Sequence, residues 1–150
     1  MQTFLPYADF QKTAKCLDDK RLGKQRVECL QILKAIYIPD YGWRHHPAVK
    51  MWKDYPHALQ LYMNICIREW IDRGFKNTMA IEKLDSFIEL PQWLGNATLH
   101  ASHRSNLLRK DKQFYSKFKW KENDCMPYYW CGFSKQDNDN YQQENNNDNQ

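Results

Sequence analysis

The run Leu22-Gly23-Lys24-Gln25-Arg26-Val27-Glu28 sets one carboxylate among cations in a stretch suited to helix. At about 100° per residue, Arg21 and Glu28 return to nearly the same angle, with Gln25 between them, at the seam beside an apolar face. A carboxylate there is partly desolvated while its basic neighbours can hold an anionic backbone, so Glu28 is a candidate catalytic residue and Arg21, Lys24, Gln25 and Arg26 are candidate nucleic-acid contacts. The competing reading is structural: Glu28 pairs with Lys24 at i,i+4, an exchange of about 0.3–0.5 kcal/mol.

A second cluster joins His100, His103, Arg104, Arg109 and Lys110, with Ser102 and Asn106 among them and Phe114 and Tyr115 just after. On a helix these charges ring the axis rather than stripe it, and His103, Arg104, Arg109 and Lys110 are expected to reach phosphates. An ordinary solvated helix explains part of that pattern; the aromatic residues that follow favour nucleic acid. The histidines His45, His46, His57, His100 and His103 fit no HExxH, CxxC or paired Cys/His spacing, so no metal is expected. A glycine-rich phosphate loop is also missing, and none of the five cysteines has a recognisable nucleophile setting.

The elements that must position these residues read as helices. Asp9 and Asp18 precede a short and a longer helical stretch, with Leu22, Cys29, Leu30, Leu33, Ile36 and Tyr37 on one apolar face of the longer one. Pro39-Asp40-Tyr41-Gly42 is a turn signal, and irregular chain continues through Trp43-Arg44-His45-His46. A second helical region starts near Pro47 and runs to Gly74, restarting or kinking at Pro56, with Leu59, Tyr62, Met63, Cys66 and Trp70 at helical spacing. Residues 76–95 are weakly patterned, and Asn96 can cap a third region reaching about Lys110. The aromatic segment Phe114 to Phe133 predicts an irregular strap. The fold class is therefore mainly α, in one compact domain spanning 1–133.

Composition supports one packed core: 150 residues, 42% hydrophobic and 15% aromatic. The net charge of +4 is uneven. Residues 134–150 hold Lys135 against Asp137, Asp139, Glu144 and Asp148, so residues 1–133 carry 21 basic and 14 acidic residues, a charge of +7. A basic body suits a polyanion partner, and the acidic, Asn/Gln-rich end predicts a disordered tail. No run resembles a membrane span or signal peptide, and the odd, irregularly spaced cysteines suggest reduced thiols, so an intracellular protein, cytoplasmic or on DNA, without a membrane partner is expected.

With Leu22 to Glu28, His46-Pro47 through Arg73-Gly74-Phe75, and Ser102-His103-Arg104 with Leu107-Leu108-Arg109-Lys110 and Tyr115, the sequence resembles the phage-type pyrimidine-dimer DNA glycosylases with abasic-site lyase activity, and more closely an uncharacterised branch of that family. The similarity covers roughly residues 1–133 and lies in the order and spacing of all three parts. It implies a compact helical domain that needs no cofactor, acts on double-stranded DNA with a damaged or modified base, and is expected to be a monomer. It also implies that an N-terminal α-amine attacks C1′ of the damaged nucleotide, that a glutamate on the first long helix assists, and that a Schiff base precedes β-elimination. Glu28 matches that glutamate. An α-amine ordinarily titrates near pH 8, roughly two units or more below a lysine, so more of it is neutral at pH 7. Gln2 is too bulky to favour removal of the initiator methionine, which makes the Met1 amine the nucleophile candidate; Lys20 or Lys24 could replace it only with a strongly lowered pKa. Trp43, Trp93 and Tyr115 are candidates for a flat pocket wall or, equally, for core. Two readings from other classes stand beside the enzyme: a non-catalytic nucleic-acid-binding protein on the same scaffold, and a helical interaction module whose charge serves solubility.

Overall fold

The computed structural model describes residues 1–131, so the expected tail at 134–150 and the end of the strap lie outside the described residues. Among the described residues there are six α-helices, one short 3-10 turn and no strand: α1 (Phe10–Cys16), α2 (Asp19–Tyr37), α3 (Pro47–Trp52), α4 (Pro56–Asp72), α5 (Ala97–Lys110) and α6 (Lys112–Tyr115), then Ser116–Phe118. No helix among them is long and apolar enough to cross a membrane.

The helix starts follow from side chains that bond the first free N–H groups. Asp9 accepts from Lys12 N, Asp18 from Arg21 N and Asn96 from Leu99 N, as short polar acceptors do ahead of a helical run. Pro47 and Pro56 each occupy the first turn, where a missing N–H loses no helical bond, and Lys53 to Tyr55 separate α3 from α4. Gly74 at φ +91° follows the end of α4, the left-handed position glycine adopts without a Cβ penalty.

The centre is the crossing of α2 with α4, with α1 and α3 against its sides. Trp52 and Tyr62 stack at an interplanar angle of 7°, and Phe10 and Trp93 close on them. Gly23 has a packing role inside α2: a Cβ there would lie 2.9 Å from the Trp70 ring, which is held in turn by stacked Phe75 and by the Arg26 guanidinium 4.3 Å from the ring centroid.

The buried face of α2 differs from its apolar face. Tyr37 is 62% exposed and Ile32 is fully buried, while Gln25 and Glu28 also point inward. The reason lies in residues 2–6, which form no helix, are buried, and bring polar backbone to the inner face of α2.

Candidate active site

An extended backbone inside a helical protein has no ladder to join, so side chains must satisfy it. The backbone of residues 2–6 is held in that way by three helices, and a fourth holds the Thr3 side chain. From α2, the Gln25 Oε1 accepts from Phe4 N at 2.7 Å while its Nε2 donates to Gln2 O at 2.9 Å. From α4, the Tyr62 hydroxyl donates to Phe4 O at 2.6 Å. From α5, His103 Nδ1 accepts from Leu5 N at 2.9 Å, His100 Nδ1 meets Leu5 O at 2.7 Å, and Arg104 donates to Pro6 O at 2.8 Å. Trp52, on α3, donates its indole N–H to the Thr3 hydroxyl at 2.9 Å.

The two histidines hold opposite tautomers. His100 accepts from Gly95 N at Nε2, so its proton sits on Nδ1 and is given to Leu5 O. His103 accepts at Nδ1, so its proton sits on Nε2, a buried atom that makes no hydrogen bond. Burial first, then the neighbouring His100 and Arg104, push the His103 pKa down to about 3; burial likewise lowers that of His100.

This anchoring delivers the start of the chain to Glu28. The Gln2 N–H donates to Glu28 Oε2 at 3.4 Å, and Lys24 Nζ lies 3.7 Å from Oε1. Glu28 is 7% exposed, so a charge that is largely out of water faces the first peptide group of the chain. His46, which caps α3 by accepting from Ala48 N, is close enough to the amino terminus that the terminal charge, after burial, helps lower its pKa to about 4.

A cationic rim adjoins the carboxylate. Lys110, at the end of α5, has its pKa lowered by burial and then by Arg21, Lys24 and Arg109, and raised by Glu28, which puts all five charges in one neighbourhood. Lys24 and Lys110 are exposed, Arg21 also pairs with Asp18 at 3.2 Å, and Arg109 donates to the Asn106 side chain.

Four expected DNA contacts fall elsewhere. Gln25 and His103 are each 1% exposed and engaged with the N-terminal segment, so they position it and cannot reach a phosphate. Arg26 lies against Trp70 and donates to Asn77 Oδ1 at 3.0 Å; Arg104 pairs with Glu122 as well as holding Pro6. These guanidiniums close the fold. Nor is α5 ringed by charge: His100, Ser102, His103, Ser105 and Asn106 face inward, and its exposed charges gather at the C-terminal end. Of the proposed flat walls, Tyr115 is core, Trp93 packs edge-on against Trp52, and Trp43 is 63% exposed.

Sequence reasoning passed over Tyr62 and Trp52 as site-building residues, and singled out His100 and His46 without seeing that one grips Leu5 and the other lies near the amino terminus. The available signal was Thr3-Phe4-Leu5-Pro6, an apolar run too short for a helix that needs partners, set against a helix carrying two histidines three residues apart. Among the described residues no group of three or more His, Cys, Asp or Glu is placed to hold a metal ion.

A family model described as pyrimidine dimer DNA glycosylase matches residues 1–83, more than half of the chain, and this span includes the anchored segment, Glu28 and His46. No curated protein and no solved structure matches.

Proposed function

Since the chain belongs to the pyrimidine dimer DNA glycosylase family, we propose that it excises a damaged base, a pyrimidine dimer in the first instance, and then cleaves the abasic strand through an imine formed by its N-terminal amine, with Glu28 as the assisting carboxylate. The observation that carries this reading is the burial of Glu28 against the first peptide group of the chain. A buried carboxylate at that place stabilises positive charge on the sugar as the base leaves with the glycosidic electron pair, and it can relay the proton that the attacking amine releases. The resulting iminium acidifies the C2′ proton, whose removal expels the 3′-phosphate. Arg21, Lys24, Arg109 and Lys110 form the rim that holds the flanking phosphates of duplex DNA.

Borohydride treatment during incubation with abasic-site DNA should trap a covalent adduct, because reduction makes the imine permanent. Glu28→Gln keeps the size and removes the charge, and should slow strand cleavage by at least about 10²-fold, the low end for a general acid–base group. Peptide mapping should place the DNA on the N-terminal peptide, and intact mass reports whether Met1 is that terminus. An adduct on Lys24 or Lys110 would keep the lyase and reject the amine; DNA binding without any adduct from an unblocked terminus would leave a binding protein on this scaffold.

A further inference from the structure

The turn ahead of α3 holds a bulky aromatic residue in a backbone conformation that few such residues adopt. Trp43 has φ +73° and is 63% exposed, while its carbonyl accepts from His46 N at 2.8 Å. An L-residue with a branched ring system pays about 1–3 kcal/mol for such a backbone, and an exposed indole returns nothing to the core, so folding alone does not account for it. The ring stands edge-on to His46, with centroids 6.2 Å apart, and His46 in turn meets Trp130 at 5.8 Å. His46 is also the side chain that feels the charge of the amino terminus. Trp43 therefore projects into solvent beside His46, the side chain that the charge of the amino terminus reaches. Cations flank it: Arg44, held to Pro39 O at 2.7 Å, lines with Lys50 and Lys53 a groove of about 320 Å³ beside the turn.

We propose that Trp43 is a stacking platform for a nucleobase displaced from the duplex at the damaged site, with the basic groove beside it taking the adjoining backbone. This rests on the DNA glycosylase reading and adds a residue to it. Chemistry at C1′ requires the damaged nucleotide or its opposite base to leave the stack, which exposes a π-face to water; a flat, solvent-facing ring beside His46 recovers part of that loss whatever the base. The strained turn sets the indole outward beforehand, so binding need not expel it from a core position.

The test compares binding to a duplex carrying one tetrahydrofuran abasic analogue with binding to the same duplex undamaged, for wild type, Trp43→Gly and Trp43→Phe. Glycine suits φ +73° and removes the ring, so a urea unfolding midpoint at or above that of wild type is expected and separates folding from binding. The glycine variant should lose affinity for the abasic duplex by about tenfold or more, the size of one base–aromatic stack, with undamaged-duplex affinity and its salt slope within twofold of wild type. The phenylalanine variant should keep most of the preference. If wild type prefers the abasic duplex and Trp43→Gly keeps that preference within twofold, the platform is refuted and the glycosylase reading stands. A wild type with no preference for the abasic duplex refutes both.

Discussion

Acid should release the N-terminal segment, and His103 is one of the groups that drive it. Protonating His103 puts an N–H on Nδ1, where Leu5 N–H already donates, so the folded state must give up that bond and bury a cation between Phe4 and Tyr128. The folded pKa is depressed from 6.5 to about 3, so between those values the unfolded chain binds more protons than the folded one. Stability therefore rises with pH through that window and is lost as pH falls below about 6.5. Integrating the linkage for this residue gives a loss of about 2 kcal/mol between pH 7 and pH 5. His100 and His46 are depressed as well and add to the loss in the same direction. Urea unfolding at the two pH values measures the total. His103→Asn keeps an acceptor near the position of Nδ1 but does not titrate; it should be less stable than wild type at pH 7 because of the space it leaves, yet lose about 2 kcal/mol less on going to pH 5. Equal losses in variant and wild type would refute the assignment of a neutral, Nε2-protonated His103 to this site.

Gly23→Ala should destabilise by about 1–2 kcal/mol in urea unfolding, because the 2.9 Å approach to a Trp70 ring clamped by Phe75 and Arg26 outweighs the gain of about 1 kcal/mol in helix propensity. Asn96→Ala removes the acceptor for Leu99 N and should cost about 1 kcal/mol by the same assay. Charge reversal of Arg109 and Lys110 together should weaken binding to duplex DNA of any sequence and shallow the plot of log affinity against log salt by about 1–2, whereas Arg26→Gln should lower stability with little change in that slope.

The helices were readable because their signals are local. Asp9, Asp18 and Asn96 each precede a periodic stretch, and each makes the cap that its position announces. That Arg21, Lys24 and Glu28 share one stretch of α2 and that Arg109 and Lys110 end α5 was also readable, since these charges lie on the faces and ends of helices. The anchoring residues were not, since Gln25 meets Phe4 across 21 residues and His103 meets Leu5 across 98, and neither separation leaves a trace in composition or period. Polar residues on a helix read as solvated because a buried face is ordinarily apolar. Where the buried face grips a peptide backbone, the same residues are the interior, and Gln25, His100 and His103 belong to that case.

The grip has a consequence for the chemistry. Ordering residues 2–6 costs about 1–2 kcal/mol per residue, a total that neutral hydrogen bonds of about 1 kcal/mol each offset only together with buried apolar anchors. Phe4 and Leu5 supply those anchors, being 7% and 0% exposed, and they fix which residue lies in which socket, while Gln25, Tyr62, His100 and His103 fix how the backbone is turned. A segment locked at Phe4 and Leu5 does not slide to compensate for what precedes it. The distance of a terminal amine from Glu28 is then set by the number of residues ahead of Thr3, in steps of up to about 3.6 Å. With Gln2 first, the amine nitrogen is the atom now 3.4 Å from the carboxylate; with Met1 first, that atom is a peptide nitrogen and the amine belongs to the residue before it, near enough to His46 for its charge to be felt there. Processing at the start of the chain would therefore change which side chains surround the terminal amine while Phe4 and Leu5 stay in their sockets.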